Sequence, residues 1–152
     1  MSGAAVLEGD DPRIGELLRA SRRVAVLGIK TEAQAGEPAF YVPSYLSSVG
    51  LEVIPVPVYY PEVTEILGQQ VYRRLADVPG LIDIVDVFRR PRDVPAHLGD
   101  LLAARPRLVW LQSGIRSDEA AERLVAAGVF VVQDRCLMVE HRRLALPRAG
   151  QG

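Results

Sequence analysis

Five short apolar runs, separated by segments of helical periodicity, constrain most what this chain can fold into. They are Val24-Ala25-Val26-Leu27, Leu51 to Val56, Ile82 to Phe88, Leu108-Val109-Trp110-Leu111 and Val129-Phe130-Val131-Val132. Each is strand-sized and rich in β-branched or large apolar residues, as strands buried on both faces are. Runs this short cannot span a bilayer.

The intervening segments carry helix signals. Asp10 or Asp11 can cap a first helix, Pro12 suits its first turn, and Ile14, Leu17 and Leu18 share one face. A second helix starts at Pro38, carries Tyr41, Val42, Tyr45, Leu46 and Val49, and stops at Gly50. Pro43 conflicts with that start and suggests a true first turn further along. Pro91 to Ala104 reads as one helix, Ser117 caps another, and Asp134 is placed to cap the last. Gln69 to Tyr72 reads as a minor extended piece and Leu75 to Val78 as a single turn.

Strands alternating with helices imply right-handed crossovers and a parallel sheet with helices on both faces. The expectation is an α/β, Rossmann-like, doubly wound five-stranded sheet of order 3-2-1-4-5. The 152 residues suit a single domain with a core over about residues 10–144 and loose tails at 1–10 and 147–152.

The formal net charge is −1, which disfavours nucleic-acid binding through bulk electrostatics. The single cysteine, Cys136, has no internal partner and fits a reducing compartment. The acidic start MSGAAVLEGDD is no signal peptide, so the expectation is a cytoplasmic protein away from membranes. Asparagine is absent and Lys30 is the only lysine, a bias that a GC-rich genome or selection against thermolabile amides explains.

In such sheets ligands sit beyond the carboxyl ends of the strands, where strand order reverses. That selects four loops: Gly28–Pro38, Pro55–Pro61, Phe88–Pro91 and Gln112–Ser117. The first feeds a helix amino terminus, a natural phosphate site, and offers Lys30, Thr31 and Gln34. It lacks G-x-G-x-x-G, and no Gly-Lys-Ser/Thr occurs, so both dinucleotide and P-loop fingerprints are absent. A glycine after a first strand is more often just a turn, so this loop alone is a weak signal. The second loop has no carboxylate before Glu62 to bind a ribose diol, and its prolines and tyrosines suit an adenine face better. Arg89 and Arg90 can meet phosphate oxygens, or simply be solvated.

Catalytic candidates are few. His97 and His141 read as neutral, exposed residues. Cys136 reads as a small hydrophobe or as a thiol activated by Arg135 and a helix start. No cysteine–histidine cluster has metal-ligand spacing, and no nucleophile elbow is present. Asp83 and Asp86 lie three apart on a strand and so face opposite sides. Neither catalytic nor metal residues are expected.

Several stretches taken together resemble a known family. They are Val53-Ile54-Pro55-Val56, Ile66-Leu67-Gly68, Leu75-Ala76-Asp77-Val78-Pro79, Ile82 to Arg89, Val109 to Gly114 and Asp134-Arg135-Cys136. They resemble the stand-alone CoA-binding domain proteins, a family similar to the CoA-binding domain of the succinyl-CoA synthetase α subunit. The resemblance implies that coenzyme A crosses the carboxyl edge of the sheet. The loop running from Gly28 through Ile29, Lys30 and Thr31 to Pro38 would hold phosphates. Pro55, Val56 and Pro57 would flank the adenine or its ribose phosphate. Val87, Phe88 and Arg89 would line the site beneath the nucleotide, while Ser113 and Gly114 would approach the pantetheine arm. Where the family often has Asn-Pro and a basic residue, this chain has Pro57-Val58-Tyr59-Tyr60, so Lys30 is the candidate cation for the 3′-phosphate.

The leading expectation is a non-catalytic module that binds CoA or an acyl-CoA as carrier, sensor or partner of another protein, possible homo-oligomer included. The alternatives are an NAD(P)-binding oxidoreductase-type domain, a CoA-ligase subunit completed by another chain, and a mixed disulfide between Cys136 and CoA. The ligase's phosphorylated histidine matches neither His97 nor His141.

Overall fold

A computed structural model describes residues 3–146. Five parallel strands form the central sheet: β1 (Arg23–Leu27), β2 (Glu52–Val56), β5 (Ile84–Val87), β6 (Leu108–Leu111) and β7 (Phe130–Val132). They lie in the order β2-β1-β5-β6-β7. A two-stranded antiparallel hairpin, β3 (Glu65–Ile66) and β4 (Gln69–Gln70), intervenes in sequence. Its turn residues Leu67 and Gly68 both take positive φ, the backbone that tight hairpins favour.

The third apolar run of the sequence, β5, therefore lies beside β1 and not beyond β2. The five-stranded, doubly wound parallel sheet is the one expected, and across it the five apolar runs lie in the order second, first, third, fourth, fifth. Tyr72 N–H, just past β4, donates to the Pro55 carbonyl of β2 at 2.9 Å. That bond ties the segment after the hairpin to the outer edge of β2 without adding a strand to the five-stranded sheet. Strand order reverses between β1 and β5, whose carboxyl ends are Leu27 and Val87.

The helices are α1 (Asp11–Ala20), α2 (Pro38–Ser48), α3 (Leu98–Ala104), α4 (Asp118–Ala126) and α5 (Leu137–Leu144). On one face Val24, Val26, Ile84, Trp110 and Val132 pack with Ile14 and Leu18 of α1, Leu46 of α2 and Leu137 of α5. On the other, Ala25, Leu27, Val85, Val109 and Leu111 pack with Leu98 and Leu101 of α3 and Leu124 of α4. Successive strand residues point to opposite faces, so fully apolar strands serve both layers.

Local chemistry explains the departures from expectation. α2 does begin at Pro38, so Pro43 is interior. Proline has no N–H for the carbonyl four residues back. That carbonyl, on Ala39, instead accepts the Lys30 N–H at 3.1 Å and ties the first loop to α2. The single helix expected over 91–104 is divided, because Pro95 falls inside it. A 3-10 stretch runs over Pro91–His97 before α3. Asp134 does not cap α5. It takes φ 56°, and its Oδ1 accepts the Gly114 N–H at 2.7 Å. Residues 4–7, expected in a loose tail, dock on the sheet: Val6 bridges Val131, and Leu7 is buried. Residues 1–2 and the tail at 147–152 lie outside the described residues. Among the described residues, no helix is long and apolar enough to cross a membrane.

Candidate functional site

At the reversal point the first and third loops are built against each other. Gly28 takes φ 87°, and a Cβ there would lie 2.3 Å from the Phe88 carbonyl oxygen. Gly28 N–H donates to Val56 O, and Phe88 N–H to Leu27 O, both at 2.9 Å. Only glycine permits both this backbone and this approach.

A cleft of about 590 Å³ opens beside this junction, within the usual range for small-molecule sites. Lys30 and the start of α2, from Glu37 to Ala39 with Tyr41, form one side. Phe88, Arg89 and Arg90 form the floor. Gln112, Ser113 and Ile115, beyond β6, continue it toward Cys136, Met138 and Val139 at the start of α5. No side chain caps the amino end of α2, where Pro38 holds the first turn.

Three cations, Lys30, Arg89 and Arg90, line the cleft. Lys30 Nζ meets Glu37 Oε1 at 2.8 Å, and this carboxylate raises the ammonium pKa. Asp93 is shared by Arg90 at 2.8 Å and Arg89 at 3.6 Å. The two arginines, Arg90 first, hold its carboxyl below the usual range. Arg89 Nε donates to His97 Nε2 at 3.2 Å, and its guanidinium stands 5.6 Å from the centroid of the Tyr59 ring. That guanidinium also lowers the Tyr59 phenol pKa. Ile115, Met138 and Val139 add an apolar lining. Buried Gln112 fixes it, because its Oε1 accepts the Leu137 N–H at 3.0 Å.

Of the residues expected to bind a cofactor, Lys30, Pro38, Phe88, Arg89 and Ser113 line the cleft. Ile29, Val56 and Val87 are instead core side chains, at most 1 % exposed. Pro55, inside β2, and Pro57, just past its end, are buried as well. Thr31 is buried and caps the 3-10 turn Glu32–Gln34. Gly28 shapes the junction without lining the cleft, and Gly114 gives its N–H to Asp134. The cleft is lined from the first and third loops and from beyond β6, and no residue of the second loop lines it. The second loop reaches this region through Tyr59 alone among the contacts that Arg89 makes.

Sequence reasoning missed the α5 wall and the side of α2. Met138 and Val139 lie on the last helix and line the cleft, and Val139 is 50 % exposed. His97 and His141 were read as exposed. His97 holds Arg89, and His141 is buried with Nδ1 2.9 Å from the Tyr45 hydroxyl. Burial lowers both imidazole pKa values. Asp83 and Asp86 do part company: Asp83 accepts the N–H groups of Arg22 and Arg23 at the amino edge, while Asp86 is wholly buried.

The fold is that of a Rossmann-type domain, with a cleft at the carboxyl edge of the sheet. The chain belongs to the CoA binding domain family, whose model matches residues 22–142. It is 33 % identical over 128 residues to the uncharacterized protein YneT of Bacillus subtilis (strain 168), covering 84 % of this chain and 91 % of that protein. A solved structure from Thermus thermophilus, cell-free ID.343, is 44 % identical with a TM-score of 0.81, covering 89 % of this chain and 98 % of that one. The same fold recurs in a dinucleotide-forming acetyl-coenzyme A synthetase of Ca. Korarchaeum cryptofilum. That match is 21 % identical with a TM-score of 0.63, over 78 % of this chain and 27 % of the synthetase.

Proposed function

We propose that this chain binds coenzyme A or an acyl-CoA in the cleft and serves as a carrier, sensor or partner module without chemistry of its own. One observation carries the reading: a single cleft is lined both by the cations Lys30, Arg89 and Arg90 and by the apolar side chains of Ile115, Met138 and Val139. CoA has the matching polarity, with a polyanionic nucleotide at one end and a thin pantetheine arm at the other. Charge-assisted bonds hold phosphates, while the apolar wall desolvates the arm or an acyl chain. A nicotinamide dinucleotide fits less well, since β2 ends in Pro55 and Val56 where a ribose-binding carboxylate belongs.

Titration calorimetry with CoA tests the reading. Ser113 is an exposed residue on the cleft wall, so Ser113→Trp narrows the cleft with little cost to folding. The dissociation constant should rise at least about tenfold, which is about 1.4 kcal/mol. An unchanged constant would place CoA elsewhere.

A further inference from the structure

The coenzyme A reading leaves the 3′-phosphate without a partner, because the loop after β2, from Pro57 to Pro61, contains no cation. We propose that this ribose phosphomonoester is held at the corner formed by Arg90, Arg89 and the Tyr59 hydroxyl, with Arg90 supplying the discriminating charge. The assignment rests on the coenzyme A reading and goes beyond it by naming the group that separates CoA from dephospho-CoA.

Three observations converge. The segment Arg89-Arg90-Pro91-Arg92-Asp93 holds three guanidinium groups against one carboxylate, and Asp93 is shared between Arg89 and Arg90. Positive charge is therefore in surplus here. Lys30 and Glu37 form a one-to-one ion pair inside the first loop, with no surplus of their own. Nearby Asp100 is engaged by Arg74 at 2.7 Å, and His97 is the neutral acceptor for Arg89 Nε. No further carboxylate among these contacts offsets the surplus.

The second observation is the contrast between the two arginines. The Arg89 side chain is 13 % exposed and held by His97, Asp93 and the Tyr59 ring. It acts as a fixed donor surface. The Arg90 side chain is 60 % exposed, lines the cleft and can turn from Asp93 to a dianion. An arginine fork meets phosphate oxygens two at a time.

The third is the position of Tyr59. It stands in the stretch where a basic residue is expected, is 59 % exposed, and lies against Arg89. The ring offers a face for adenine and the phenol a donor for phosphate. The cation lost from the second loop is thus replaced from the third, across the mouth of β1.

Calorimetry with CoA and dephospho-CoA at one low ionic strength decides the matter, using wild type, Arg90→Ala and Lys30→Ala. The wild type should prefer CoA by about tenfold or more. Arg90→Ala should lose that preference by weakening CoA alone, with dephospho-CoA changed less than about twofold. Lys30→Ala should weaken both compounds equally, as a pyrophosphate contact would. A preference retained in Arg90→Ala, or lost in Lys30→Ala instead, overturns the assignment while the CoA reading stands. Wild type binding neither compound overturns the CoA reading itself.

Discussion

A Cβ added to Gly28 would sit 2.3 Å from the carbonyl oxygen of Phe88, so the first and third loops are locked together by the absence of a side chain. The clash is with backbone, which has no rotamer to give, and φ 87° adds strain for any other residue. Gly28→Ala should cost at least about 2–3 kcal/mol. For a chain of this size that lowers Tm by roughly 5–10 °C, measured by thermal unfolding without ligand. A loss below about 2 °C would mean that the junction relaxes freely.

Acid should weaken the site through His97. Its pKa lies below the ordinary 6.5, through burial first and the charge of Arg89 second. The unfolded chain then takes up the proton more readily than the folded one. Stability is full above about pH 6.5 and declines as the pH falls below it. His141, also lowered by burial, adds to the same decline. His97→Gln keeps an acceptor for Arg89 but cannot ionise, so its Tm should fall less than that of wild type between pH 7.5 and 5.5. Parallel profiles would exclude His97 as a contributor.

Asp86 predicts the opposite slope. Its carboxyl is wholly buried, neither oxygen has a hydrogen-bond partner, and burial raises its pKa well above 3.8. The folded state keeps the proton that the unfolded chain releases. This group's contribution to stability therefore falls as the pH rises above about 4. In Asp86→Asn that penalty is gone. The Tm difference between variant and wild type should shift in the variant's favour from pH 4.5 to pH 8, and a constant difference would contradict a protonated Asp86.

Cys136 tests where the proposed pantetheine arm would run. It is half-buried, lines the cleft, and is the only cysteine in the chain. Saturating CoA should slow its alkylation by a maleimide at least about fivefold, followed by mass spectrometry. An unchanged rate would mean that the arm does not pass between Ser113 and Met138.

The layered α/β architecture was readable because its determinants are local. Apolar runs such as Val24–Leu27 and caps such as Asp10 and Ser117 act within a few residues. The position of β5 was not, because Gln69–Tyr72 is too short and too polar to announce that it covers the edge of β2. The interior Pro43 misled because its compensation, the bond from Lys30 to Ala39, joins two separate segments. In the site, the charged and small residues of the first and third loops were readable from the topology rule. The α5 wall was not, since Met138 and Val139 look like any helix face until the helix is seen docked beside Gln112. The pairing of Arg89 with Tyr59 was equally hidden, because it spans loops about thirty residues apart.

Ligand-dependent melting offers the most direct measurement. The purified protein is heated alone and with CoA, NAD, NADP or ATP. At about 100 times its dissociation constant a ligand stabilises by roughly 2.7 kcal/mol, which for this chain is about 5–10 °C. CoA should give that shift and NAD should give none. A shift with NAD and none with CoA would contradict the assignment of the cleft to coenzyme A.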